Sequence, residues 1–145
     1  MKFELDKLRP YHRTEIDQLF TKVKAQMHQQ AVARGCDGLA LYTDCYTGKT
    51  LRGGDPYDYE HIRSAEEVFM TYRDRLTNNQ IAQVVNCPEN VSVTLRSINQ
   101  SKGKTPLEDW LTNLDNISKY NIDIMLAKRN LKKADKAIKK MVDKY

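Results

Sequence analysis

Val91, Val93 and Leu95 alternate with Ser92 and Thr94, placing an aliphatic side chain at every second position, the pattern of a half-buried strand. A second short strand is written over Tyr57 to Ile62, an aromatic-rich run that follows the turn signal Arg52-Gly53-Gly54-Asp55-Pro56. The other periodic segments have helical spacing. Two short strands among helices hold the chain to an α+β, mostly helical class. The expected layout is a small strand–strand–short-helix unit with two helices inserted between the strands and longer helices at either end.

Ile16, Leu19, Phe20, Val23, Met27 and Ala31 are three and four apart, which predicts a helix over about 14–34. Gly35 is placed to end it in a left-handed conformation. The stretch 37–51 is short and mixed, with Gly38 and Gly48 as turn residues. Ser64-Ala65-Glu66-Glu67 has the form of a capping box and opens a helix that buries Val68, Phe69, Tyr72 and Leu76. A second short helix is expected over Asn79 to Val85, with Pro88 closing the region. Arg96 to Lys102 reads as a short helix ended by Gly103. Thr105-Pro106-Leu107-Glu108 reads as another helix start, with Thr105 as cap and Trp110, Leu111 and Leu114 as anchors. The last helix is expected from about 123 to 145. Its Ile124, Ala127, Leu131, Ala134, Ile138 and Met141 form a narrow seam against another helix.

A length of 145 residues suits one domain, here taken as 1–145, large enough to bury roughly 70% of its unfolded surface. No run approaches the length of a membrane span and no signal-peptide core is present, so a soluble, cytoplasmic protein with no membrane partner is expected. Cys36, Cys45 and Cys87 are odd in number and form no CxxC pair, and they read as buried free thiols. The formal charge is +5, yet the segment from Lys128 to Lys144 alone holds eight basic and two acidic residues, a local excess of +6. Such a segment attracts polyanions or forms a solvated helix face.

The chemistry concentrates around Tyr57-Asp58-Tyr59-Glu60-His61-Ile62, Asn90 and Asn99-Gln100-Ser101-Lys102-Gly103. Histidine's ordinary pKa near 6.5 leaves it mostly neutral at pH 7, ready to accept a proton from water. A carboxylate and an amide carbonyl are hard oxygen ligands suited to Mg²⁺ or Mn²⁺, and a lysine can meet phosphate. Together these are the parts of a metal-assisted phosphodiesterase. Adjacent Glu60 and His61 would face opposite sides of an ideal strand. Either the strand ends or twists there, or Asp58 or another group is the ligand.

Four blocks in order, Asp44-Cys45-Tyr46-Thr47-Gly48-Lys49, Tyr57 to Ile62, Asn90-Val91-Ser92-Val93-Thr94 and Asn99 to Pro106, resemble the HNH nuclease family. The likeness is greatest to the HNH domain of CRISPR RNA-guided nucleases and covers about 44–111, leaving the terminal helices (about 14–34 and 123–145) outside it. The resemblance implies a ββα-metal unit holding one divalent cation. His61 then matches the general base, Glu60 the acidic metal ligand before it, and Asn99 the last ligand. Asn90 matches the asparagine that holds the loop between the strands. Asp58 is a further candidate ligand, and Lys102, Arg96 and Lys104 are candidates for nucleic-acid contact. The 28 residues between His61 and Asn90 form a helical insertion longer than this family's usual linker.

The function expected is a divalent-metal-dependent endonuclease acting on DNA, with RNA as a further possible substrate. A toxin or defence module is one context, which would bring an immunity or inhibitor protein as partner and secretion as part of a larger toxin. The alternative is a noncatalytic nucleic-acid-binding or assembly protein that keeps the HNH shape. Dimerisation through the Ile124–Met141 seam is compatible with either.

Overall fold

In the computed structural model, which describes residues 5–145, the first periodic segment forms one unbroken helix, α1 (Thr14–Arg34). Glu15 and Asp17 in its first turn and Arg34 in its last complement the helix dipole. Gly35 follows, in an extended conformation (φ −77°, ψ 142°) rather than the left-handed one expected. Glycine is needed there for space: a Cβ would lie 2.0 Å from the Leu39 carbonyl oxygen as the chain doubles back.

The mixed stretch that follows is a hairpin, β1 (Leu41–Thr43) and β2 (Thr50–Arg52), paired antiparallel. Its turn is closed by the Gly48 N–H on the Asp44 carbonyl at 2.9 Å, with Gly48 at φ +76°. The second sheet pairs β3 (Tyr57–His61) with β4 (Val91–Leu95), antiparallel, with Tyr57 opposite Leu95 and His61 opposite Val91. Ile62 falls one residue beyond the strand, although its N–H still bonds the Asn90 carbonyl at 2.9 Å.

Between these strands lie α2 (Ala65–Tyr72), α3 (Asn78–Val85) and a 3₁₀ turn at Pro88–Asn90. Ser64 caps α2 by accepting the Glu67 N–H at 3.1 Å, but the Glu67 carboxylate turns to Arg63 instead of reaching back. The reciprocal box forms at Thr77 and Gln80. The strand pair leads directly into α4 (Arg96–Lys102), which Gly103 ends at φ +51°. Thr105 makes no cap to α5 (Leu107–Trp110). Leu114 opens α6 (Leu114–Tyr120) and is 76% exposed, so Trp110 and Leu111 anchor this region without it. Asp123 caps α7 (Ile124–Asp143) by accepting the Leu126 N–H at 3.0 Å.

Alternation assigns the two faces of the β3–β4 sheet. Tyr57, Tyr59 and His61 point toward α1 and the hairpin, where Tyr57 and Tyr59 pack with Tyr42, Met27 and Val93. Asp58 and Glu60 point toward α4, whose Ile98 packs with Trp110, Leu107, Cys45 and Tyr46. The α7 seam joins the molecule internally. Its Ala127 and Ala134 pack in the Trp110 cluster, and Ile138 and Val142 pack against α2 and α3 with Phe69 and Val84. Leu131 and Met141 pack against the same clusters, while Ile124 at the head of the seam is exposed. Cys45 and Cys87 are buried as expected, while Cys36 is exposed. Among the described residues no helix is long and apolar enough to cross a membrane.

Candidate active site at the end of the central strand

The end of β3, the start of α1 and the end of α4 enclose a cleft of about 360 Å³, lined by Glu60, His61, Asn99, Arg13, Tyr11 and Lys104 among others. Glu60 and His61 do leave the strand on opposite faces. Both reach the cleft because it opens where the strand stops.

Glu60 is only 4% exposed. One carboxylate oxygen, Oε1, accepts from the hydroxyl of Tyr46. The other, Oε2, is buried without a hydrogen-bond partner, and the Lys102 ammonium stands 3.7 Å away. Burial raises the Glu60 pKa above the usual carboxylate range, while Lys102 and the Tyr46 hydroxyl act in the opposite direction. A carboxylate oxygen held inside a protein without a bonded donor is costly, and here the Lys102 ammonium offsets part of that cost.

Lys102 lies inside the protein, 2% exposed, and donates to the His61 carbonyl at 3.3 Å. This corrects its expected role as a surface phosphate contact. Lys102 stands three residues after Asn99 on the same face of α4; that face lies on the sheet, and the amine braces Glu60 and the strand end.

His61 is 8% exposed and stacks obliquely on Phe20, with ring centroids 4.2 Å apart. Its Nε2 lies 2.8 Å from Asn86 Oδ1. The Asn86 amide nitrogen donates to the carbonyls of Ile16 and Ala82 at 3.1 and 2.9 Å, which turns its oxygen toward the imidazole. Nε2 therefore carries the proton, and Nδ1 holds the basic lone pair. Burial lowers the His61 pKa to about 4, with smaller contributions from the charges of Arg13 and Lys102 and an opposing one from Asn86. The ring is neutral throughout the physiological range.

The depressed histidine pKa sets a sign for stability. Unfolding below the ordinary value of 6.5 lets His61 take up a proton that the folded protein refuses until about pH 4. Its contribution is therefore complete above about pH 6.5 and lost as the pH falls to about 4, amounting to roughly 3 kcal/mol. Glu60, raised by folding, works in the opposite direction at the acid end. Urea unfolding in EDTA at pH 4.5 and pH 7, for the wild type and His61→Phe, isolates the histidine as the difference between them. A wild-type pH dependence no steeper than the variant's would contradict a buried neutral imidazole.

Asn99 is half-buried and donates from its amide nitrogen to Asp58 Oδ2 at 3.1 Å, leaving its carbonyl oxygen for another partner. Asp58 Oδ1 accepts from Arg96 Nε at 3.0 Å. Asp58 is not among the residues that line the cleft; it orients the Asn99 amide, and Arg96 is tied to it as an ion pair. Lys104 is exposed and pairs with Glu66 at 3.1 Å on the cleft rim. Asn90 is wholly buried. Its oxygen accepts the Arg63 N–H at 2.7 Å, and its nitrogen donates to the carbonyls of Arg63 and Val85. It holds the loop after His61 to the end of α3 and is a positioning residue, not one that reaches the cleft.

Four further residues matter that no sequence period marked. Tyr46 fixes Glu60 from 14 residues away, and Asn86 fixes His61 from 25. Arg13, ahead of α1, brings a guanidinium to the cleft while pairing with Asp17. Asp44, fully buried, accepts from the N–H groups of Tyr46, Thr47 and Leu95 and from the Thr94 hydroxyl, tying the hairpin turn to β4. Tyr46 and Asp44 stand within the first of the four motif blocks, and that was the only signal available for them.

Among the described residues no three His, Cys, Asp or Glu side chains converge on one point. A cation here would have the Glu60 carboxylate and the Asn99 carbonyl as protein donors and would keep waters, which suits Mg²⁺ or Mn²⁺. Compared with protein-family models, with curated proteins and with solved structures, the chain gives no match.

Proposed function

We propose that this chain is a divalent-metal-dependent endonuclease of the HNH type that hydrolyses phosphodiester bonds in DNA. The observation that carries the reading is Glu60 Oε2, a buried carboxylate oxygen without a hydrogen-bond donor, on a residue that lines the same cleft as His61 and Asn99. It sits on an antiparallel strand pair followed at once by a short helix, the arrangement the motif text implies.

In this reading Glu60 and Asn99 hold the cation, with Asp58 and Tyr46 fixing their orientation. The bound ion would stabilise negative charge developing on the phosphate and the leaving oxygen. His61, neutral and with Nδ1 free to accept, takes a proton from the attacking water. Lys102 keeps Glu60 and the strand end in register. Arg13 and Lys104 supply positive charge at the cleft for the phosphodiester backbone.

Supercoiled plasmid incubated with Mg²⁺ or Mn²⁺ is expected to be nicked, and EDTA is expected to stop it. Glu60→Gln and Asn99→Ala are each expected to lower the rate by about 100-fold or more. Equal nicking in EDTA, or full activity of both variants, would sink the proposal.

One observation favours the second reading, a noncatalytic nucleic-acid-binding protein with this shape. The imidazole is nearly enclosed, with one nitrogen already bonded to Asn86. In that case metal ions change neither binding nor plasmid integrity.

A further inference from the structure

Helix α7 has a second face that its packing does not use. The buried seam occupies one side, and all eight basic residues between Lys128 and Lys144 are exposed on the other. One of the segment's two acids, Asp135, turns away to pair with Arg63 at 2.7 Å, leaving Asp143 alone among the cations. Among the described residues none of the eight takes part in an ion pair. Helical rise spreads these charges along about 24 Å. Repulsion between them lowers the stability of the bare helix, and a polyanion would relieve it.

We infer that the outer face of α7 is a docking surface for the sugar–phosphate backbone of duplex nucleic acid, separate from the cleft at the end of β3. The chemistry of the face selects this occupant over other polyanions. An amphipathic helix that binds membranes must insert apolar side chains. Here the apolar side of α7 is the protein's own core; Ile124 and Met125 in the first turn are exposed, but no apolar residue from 128 to 144 is. Single-strand binders stack bases on aromatic rings, and residues 128–144 contain none. What remains is a broad face of seven lysines and Arg129, suited to a line of phosphates and blind to sequence.

The inference does not depend on cleavage, and its test excludes cleavage. Binding of a fluorescent 20-base-pair duplex is followed by anisotropy in EDTA across a salt series. The triple variant Lys132→Gln/Lys136→Gln/Lys139→Gln is expected to bind about 100-fold more weakly at 0.1 M salt. Its slope of log affinity against log salt should be shallower by about 2.7, at roughly 0.9 per lost phosphate contact. Lys7→Gln/Lys22→Gln/Lys49→Gln removes the same charge elsewhere and is expected to change affinity less than about threefold. Circular dichroism confirms that both variants fold.

Equal weakening by the two triples, no binding by the wild type, or equally tight binding to the single strand or to phosphatidylglycerol vesicles would overturn the inference. If the wild type binds through α7 but never nicks plasmid, the endonuclease reading fails and this one stands.

Discussion

In the proposed endonuclease, replacing His61 with alanine is expected to reduce metal-dependent nicking by about a thousandfold, within the range found for general acid–base groups. The structure explains why no neighbour would take over. The other titratable groups of the strand end are committed: Glu60 to Tyr46 and Lys102, and Asp58 to Arg96 and Asn99. Duplex affinity in EDTA should stay within about threefold of wild type, because the ring is 8% exposed and contributes little surface. The substitution also leaves Asn86 Oδ1 without its partner, at a cost of about 1–3 kcal/mol. His61→Gln, which can restore a donor to Asn86, separates the two effects. It should recover much of the stability and none of the activity. A His61→Ala protein that folds and nicks at the wild-type rate removes His61 as the base.

The largest stability effect is expected at Lys102. Among the described residues its ammonium is the only cation paired with the enclosed Glu60 carboxylate, and it also bonds the His61 carbonyl, so Lys102→Ala leaves a buried charge uncompensated. Breaking such a pair from one side costs about 3–5 kcal/mol. Glu60, already raised by burial, can relieve part of this by taking a proton, so the loss should be smaller at pH 5 than at pH 8. Lys102→Met combined with Glu60→Gln should recover most of the stability, since no unpaired charge then remains. A divalent cation offers an independent reading. If Glu60 is a metal ligand, Mg²⁺ or Mn²⁺ should raise the melting temperature of Lys102→Ala more than that of the wild type, and should leave the double variant unchanged. Chemical denaturation at the two pH values, with and without metal, measures all of this. A Lys102→Ala protein as stable as wild type would show that the pair does not hold the strand end.

Local patterns explain most of what could be read without coordinates. α1, β4, α4 and α7 lie close to where their periods put them, because each period is set by the geometry of a single element. The insertion between the strands was legible for the same reason, from Ser64 and from the apolar spacing of 65–85. The failures share a different cause. Gly35 ends α1 in an extended conformation, and glycine is needed there because the Leu39 carbonyl, four residues on, occupies the space a Cβ would need. Thr105 and Leu114 matched a cap and an anchor by type, but the chain turns so that neither serves. The hairpin at 41–52 was not legible because its strands are three residues each, too short for an alternation to register.

The site divides in the same way. The types and order of Glu60, His61, Asn90 and Asn99 stand in the sequence, together with the chemistry those types can perform. Their surroundings do not. Folding turns Lys102 inward to a carboxylate, spends both oxygens of Asp58 on Arg96 and Asn99, and sets Asn86 behind the imidazole so that one nitrogen is bonded and the other basic. Each of those pairings joins residues 25 to 42 positions apart or depends on one that does. Chain periodicity reports which face of its own helix or strand a residue occupies. Only packing decides what that face meets, because a buried group's charge, tautomer and partners follow from the atoms that replace its water.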